Sequence, residues 1–432
     1  MLLTRSYAPV LSYLRDLRSN RVALSSAYMV ASQASIALLQ GLQFFLLARA
    51  LGSHEFGRVA SVIAITSVLL PFSGLGLGNV AIMRIARGQA RAQWSLGNGL
   101  AVISLTGAVG VGLALLIGKI FLNDPGTWLL VLLFGVSEIL LTKYIDFAAH
   151  LFLGLEKQVV AVCFYNLLMA VRLSCAALLL WGWAHPTALD WAQLHLAAGA
   201  FTAGVVLFAS ARLVGRPRTE YTSAAGDMKK GVFFSIVIAA RSVQTDVDKI
   251  VLARLVSPAT AGAYTAAFRI AYMASTPVMA ILQSLQARTF RRGHEGGLAG
   301  ALSSLRRLMM IGGAYCLVLA AAIYLAAPAV PWLLGDSYQT STDILRWLCF
   351  LPLFLVVQSI GSDALSGADA QRRVSFLHAM TAGMALLLNL LLVPAYGWRG
   401  AVIAAYGAQG FLIAGLFITI VMLLHAQRKA CR

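Results

Sequence analysis

Charge is scarce in this sequence, and acidic charge scarcest. Only 12% of the 432 residues are charged, and 16 acids stand against 34 lysines and arginines. Soluble domains carry roughly a quarter charged residues, so a soluble class is excluded. With 59% hydrophobic residues and a mean hydropathy of +0.80, the chain reads as an integral membrane protein. Cysteine is scarce too. Cys163, Cys175, Cys316, Cys349 and Cys431 show no C-x-x-C spacing, so neither a disulfide framework nor a zinc site is indicated, and no metal is expected. The signatures G-x-x-x-x-G-K-[ST] and H-E-x-x-H and a Ser-His-Asp order are missing, so ATP hydrolysis by this chain is not expected, nor a bound cofactor. Gly74-Leu75-Gly76-Leu77-Gly78 lacks the preceding strand of a dinucleotide loop; its glycines are expected to loosen a helix end or to let helices pack closely. A cleavable signal is missing as well, because the apolar run after Arg21 extends to about Leu51, beyond an h-region of about 7 to 15 residues.

What is present is a series of long apolar runs. At about 20 residues per crossing plus a short loop, the length accommodates roughly twelve membrane helices. They are expected at residues 22–51, 59–78, 96–122, 128–153, 159–183 and 191–213, and after a polar interval at 231–256, 260–287, 308–327, 344–366, 374–393 and 401–424. The organisation predicted is a cytoplasmic N-terminal segment (1–21), a six-helix lobe (22–213), a cytoplasmic linker (214–230), a second six-helix lobe (231–424) and a cytoplasmic tail (425–432). Residues 7–17 suit either a helix on the membrane surface or a disordered tail.

The basic residues gather at alternate loops. Arg5, Arg15, Arg18 and Arg21 precede the first span; Arg84, Arg87 and Arg91 follow the second; Arg212, Arg216, Arg218, Lys229 and Lys230 divide the halves. Arg288, Arg291, Arg292, Arg306 and Arg307, then Arg372 and Arg373, then Arg428, Lys429 and Arg432 continue the alternation. By the positive-inside rule these loops and both termini face the cytoplasm, while 123–126 and 185–190, without a Lys or Arg, face outward. The net charge of +18 therefore marks topology and not nucleic-acid binding. Trp128, Trp183, Trp191, Trp332 and Trp398 fall near the outer ends, as an aromatic belt would place them.

The stretch from Ala240 to Met273 sets Arg241, Asp246, Asp248, Lys249, Arg254 and Arg269 into apolar helices around a Ser257-Pro258 turn. Ionisable groups at membrane depth are costly and commonly functional. At about 100° per residue, Arg241, Gln244, Thr245 and Asp248 share a stripe, with Lys249 at its edge and Asp246 nearly opposite. Such a seam either lines a substrate cavity or holds helices together by salt bridges. A shift of 205 positions lays Leu47-Ala48-Arg49 on Leu252-Ala253-Arg254, Gly57 on Gly262 and Arg87 on Arg292. That match favours a duplicated six-helix unit in parallel orientation.

Three runs carry a resemblance: FLLARALGSHEFGRVASVIAITSVLLPFSGLGLGNVAIMRIA, DKIVLARLVSPATAGAYTAAFRIA, and LSGADAQRRV followed by NLLLVPAYGWRGAVIAAY. The chain resembles, from about Ala23 to Leu424, the polysaccharide-repeat (O-antigen and exopolysaccharide, Wzx-type) flippases of the multidrug, oligosaccharidyl-lipid and polysaccharide exporter superfamily. The resemblance implies an all-α fold of two six-helix lobes in a V around a central cationic cavity. It implies alternating access that moves an undecaprenyl-diphosphate-linked glycan from the cytoplasmic to the outer leaflet of a bacterial inner membrane, among membrane lipids and beside a polysaccharide polymerase. It also implies a role for Arg269, which matches an arginine of the related lipid II flippases.

A diphosphate cargo calls for Arg, whose guanidinium fork stays charged and binds phosphate oxygens bidentately. The cavity candidates are Arg269, Arg241, Lys249 and Arg172, each weighed against a structural ion pair. Lys143 and Asp146, three apart, are expected to pair with each other. Arg49 and Arg254, near the outer helix ends, are expected to snorkel or to form an outer gate. Asp246, Asp248 and Glu138 are candidates to carry a coupling H+ or Na+, or else are counter-ions. Rival readings are a drug or organic-cation antiporter, which would want an acidic cavity, and a lipid II flippase, which would extend by two more helices. A membrane-embedded polymerase or ligase would need a large outer loop; the longest here, 328–343, is short, so an enzyme is not expected.

Overall fold

The computed structural model describes residues 21–88, 91–122, 126–219 and 221–430; the N-terminal segment, Asn123, Asp124 and the end of the tail with Cys431 lie outside the described residues. The described residues are helical throughout and contain no strand. Lipid leaves only helices or closed barrels, since every backbone N–H and C=O at membrane depth needs an internal partner, and apolar runs of about 20 residues select the helix.

The first half comprises α1 (Arg21–Leu69), α2 (Leu77–Ala86), α3 (Ala92–Phe121), α4 (Thr127–Gly135), a π-helical segment (Val136–Thr142), α5 (Lys143–Gly154), α6 (Gln158–Gly182) and α7 (Ala188–Val214). The second comprises α8 (Tyr221–Leu255), α9 (Pro258–Ala326), α10 (Val330–Leu334), α11 (Gln339–Trp347), α12 (Leu351–Gly367), α13 (Gln371–Tyr396) and α14 (Trp398–Ala430). Several of these are not single spans. Gly52, at φ 68° and ψ 172°, reverses α1 into two arms, a conformation that a side chain would strain. The 69-residue α9 breaks at Gly296 and Gly297. Asp336–Trp347 and Leu351–Gly367 form one span bent by 50°, the break preceding Pro352. Counted this way, and with the charged α8 as the seventh, the described residues make twelve crossings.

Several expected boundaries move. The seventh helix starts at Tyr221, inside the interval read as linker, because polar residues continue a helix freely once it has left the apolar layer. The tenth crossing begins at Asp336, before residue 344, since the polar turn QTSTD is helical and Ser341 Oγ ties it to the Ala263 carbonyl of its own half at 2.9 Å. The glycine string does end the second crossing: Gly74, Leu75 and Gly76 all have positive φ, and Ser73 Oγ donates to the Ile139 carbonyl at 2.7 Å.

The halves meet most closely at the end carrying the Gly52 and Ser257 turns. There a Cβ on Gly57 would overlap the Pro258 carbonyl and lie 2.7 Å from Gly262 N, while one on Gly262 would overlap the Ser53 carbonyl and lie 2.9 Å from Gly57 N. Both pairs, Ser53 with Pro258 and Gly57 with Gly262, are 205 apart, so the repeat seen in sequence is a reciprocal contact in space. The contact is extended by Tyr338, fully buried, whose hydroxyl donates to the Ala48 carbonyl at 2.9 Å. Around it one hydrophobic core runs through both halves, from Phe44, Leu47 and Phe56 to Tyr264, Leu334 and Tyr338.

Candidate functional site

Helices α8 and α9 place the charged seam on the boundary between the halves. Asp246 points to the first half, where Ser67 Oγ donates to it at 2.8 Å. Asp248 points into its own half and accepts from the buried Tyr264 hydroxyl at 2.7 Å. The helical wheel separated these two acids for this reason: residues two apart on a helix face opposite ways. Lys249 joins them, its Nζ 2.6 Å from Asp246 and 3.7 Å from Asp248, 4.8 Å from the Phe268 ring centre, and donating to the Thr245 carbonyl. Lys249 is buried, and its charge is met within its own helix.

Arg269 stands apart. It is exposed, its guanidinium carbon 5.6 Å from the ring centre of Phe44 in the opposite half. Asp246 is the carboxylate nearest to it electrostatically, yet among the described residues no acid closes an ion pair with it. A cation over an aromatic face keeps its charge while leaving its donors available. Arg241 is exposed as well; Asp363 is its acidic neighbour, again without an ion pair among the described residues. Gln244 of the same stripe shares a 3.4 Å contact with His378 on α13.

Arg172 lies inside the first half, 7% exposed. Its Nη2 sits 2.9 Å from Glu138 Oε1 and donates to Thr142 Oγ1 at 2.8 Å. His195 Nε2 reaches the same Glu138 oxygen at 3.1 Å. The π-helical segment turns Glu138, Ser137 and Thr142 toward α6 and α7, and such widened turns recur at functional positions. One helical turn away, Lys143 pairs with Asp146 at 2.9 Å as the spacing predicts, and Tyr165 and His150 complete that carboxylate's shell at 2.7 and 3.3 Å. Arg172 and Tyr165 share a helix face but serve different acids.

Near the turns, Arg49 Nη1 donates to the Leu333 carbonyl at 3.1 Å, across the two halves. Arg254 lines a cavity of about 200 Å³ with Arg58, Ser61, Thr127 and Pro258. Among the described residues no three His, Cys, Asp or Glu side chains are placed to hold a metal, and Cys163, Cys175, Cys316 and Cys349 are free thiols. His195, Ser137, Tyr264 and Phe44 were not singled out by sequence. A histidine in the apolar run 191–213 was the available signal for the first; the others take their meaning only from tertiary contacts.

The profile of a family described as polysaccharide biosynthesis protein matches residues 22–285. An inward-facing multidrug resistance MATE family transporter of the MOP superfamily superposes with a TM-score of 0.73 at 16% identity, over 93% of this chain and 99% of its own. An outward-facing MATE transporter of the same superfamily gives 0.61 at 16% identity, over 94% and 96%. A MOP superfamily transporter from Pyrococcus furiosus, described as having a binding pocket of reverse polarity, gives 0.61 at 14%, over 91% and 94%. No curated protein sequence matches. At these identities the structural likeness speaks for the fold alone.

Proposed function

The chain belongs to the polysaccharide biosynthesis family of multi-pass membrane proteins, and from that premise we propose that it is an alternating-access flippase for undecaprenyl-diphosphate-linked oligosaccharide. In this reading both termini are cytoplasmic, the membrane is the bacterial inner membrane, and the delivered repeat unit passes to a polysaccharide polymerase. Family and fold point to a transporter rather than an enzyme.

The observation that carries the cargo assignment is the charge balance of the crossing helices. Glu138, Asp146, Asp246 and Asp248 each already face a basic partner. Asp363 has Arg241 as its neighbour. Arg269 is left over, exposed between the halves, with its fork uncommitted among the described residues. A diphosphate drawn to that depth must exchange hydration for charged donors, and Arg supplies two per phosphate. Arg241 adds positive potential along the seam; the charge of Lys249 is met by Asp246 and Asp248, and Arg172 would contribute only on leaving Glu138. A cation antiporter would instead need an acid standing free toward the cavity; Asp363, which closes no ion pair among the described residues, has the cationic Arg241 as its neighbour. The end closed by Gly57 and Gly262 is then the outer exit, shut in this state, with Arg49 and Arg254 at its rim.

Deleting the gene and resolving lipid-linked oligosaccharides by membrane side tests this reading. Completed repeat units should accumulate on the cytoplasmic side. Unfinished intermediates would point to an enzyme, and unchanged glycolipid with altered drug sensitivity to the antiporter.

A further inference from the structure

The Glu138, Arg172 and His195 network is buried away from the proposed cargo arginine, and its geometry has a property that an ordinary structural ion pair does not need. Arg172 Nη2 and His195 Nε2 both contact one carboxylate oxygen, Glu138 Oε1, at 2.9 and 3.1 Å. On the other side of the ring, Ser137 Oγ lies 2.9 Å from His195 Nδ1 and 3.2 Å from the His195 carbonyl oxygen. With a neutral ring, Nε2–H donates to Glu138 and the Ser137 hydroxyl donates to Nδ1. With a proton added at Nδ1, Nδ1–H donates to Ser137 Oγ, and the serine turns its own hydrogen to the His195 carbonyl. No atom need move by more than a hydroxyl rotation, and every hydrogen bond is satisfied in both states.

From this two-state bonding we propose that His195 is a proton-binding site, and that it supplies the ion coupling for the transport read above; only the link to cargo rests on that reading. The charge count gives the site its consequence. Neutral His195 leaves Glu138 and Arg172 balanced; a bound proton adds one positive charge in a buried setting and competes with Arg172 for the shared oxygen. Arg172 is poised to yield, because its Nε is buried with no partner and its other anchor is one threonine hydroxyl. Na+ fits this place poorly, since the guanidinium already occupies the carboxylate. The elements packed on α7 bring no other charge to the ring. The π segment supplies Glu138 and α6 supplies Arg172; α4 carries no ionisable residue; the Lys143, Asp146 and His150 of α5 pair among themselves. Glu55 of α1 holds the Ala188 amide two turns away, and Lys119 of α3 sits in that helix's last turn.

The test needs no cargo. Full-length protein labelled with 15N-histidine in lipid nanodiscs is titrated from about pH 8 to about pH 4, a range that extends below the one in which a solvated imidazole changes charge. The resonance pair missing from the His195→Gln spectrum should gain a proton at Nδ1, and Ser137→Ala should move that transition by at least half a pH unit. Should His195→Gln not fold, His195→Asn takes its place throughout. An imidazole that stays neutral across the range, or one whose titration ignores Ser137, overturns the proposal. Reconstituted protein carrying a fluorescent lipid-diphosphate then tests the coupling: an imposed pH gradient should speed wild-type flipping several-fold and leave His195→Gln unaffected. An equal response in both overturns the coupling. A wild type that titrates but carries no lipid-diphosphate would instead overturn the flippase reading.

Discussion

Gly57 and Gly262 lie against each other across the two halves, each so close to the other's helix that neither position has room for a Cβ. They are 205 residues apart, the offset at which the two halves match in sequence. Small residues let membrane helices approach until backbones touch, and contact of that kind is lost abruptly when one atom is inserted.

Gly262→Ala should therefore disfavour the closed arrangement while leaving each half folded. Cysteines placed at Ser53 and Pro258 should crosslink in the parent and several-fold less with Gly262→Ala, at similar membrane abundance. Undiminished crosslinking would mean that the seam tolerates the added atom.

Tyr338→Phe removes the hydroxyl that reaches the Ala48 carbonyl inside the same contact. A hydrogen bond of this kind contributes about 0.5 to 1.5 kcal/mol, so the closed population should fall by roughly two- to tenfold. Spin labels on the exposed positions His54 and Asp343, one in each half, would report it as a longer-distance population; an unchanged distribution would exclude a latching role.

Lys249 faces two acids, and Lys249→Ala should lower the amount of folded protein, by the roughly 3 to 5 kcal/mol expected for buried charge left without its partner. Asp246→Asn should be milder, since Lys249 keeps Asp248 and Ser67 keeps the amide oxygen. Membrane abundance of the two variants decides; equal loss in both would contradict this division.

Arg269→Ala should behave in the opposite way, with normal abundance and lost transport, because among the described residues no acid depends on it. Arg269→Lys should retain part of the activity, keeping the charge without the fork. Abundance that falls with activity, and recovers on removing Asp246 as well, would make it a structural partner.

Much of this was legible in the sequence because lipid narrows the choices. Apolar runs, arginine-rich alternate loops and the offset of 205 point to paired six-helix units, and the wheel separates Asp246 from Asp248. The Lys143 and Asp146 pair follows from helix spacing alone. What was not legible depends on contacts between distant segments. Arg172 shows as a charge in a span, but its burial against Glu138 and His195 depends on the π-helical turn, for which local composition gives no sign. Tyr338 sits in a short polar interval and becomes part of the closed end only because α10 and the Asp336–Tyr338 turn pack against α1. Hydropathy alone also under-counts the crossings, since α8 carries its charges at membrane depth.

The central claim is that Arg269 serves a lipid-diphosphate cargo. Purified protein reconstituted into vesicles with fluorescent undecaprenyl-diphosphate-linked oligosaccharide, and scored by quencher access from one side, measures it directly. Wild type should equilibrate the lipid between leaflets and Arg269→Ala should not, at matched amounts of folded protein. Equilibration at the same rate by both, or by neither while cationic drugs are carried, would contradict the account.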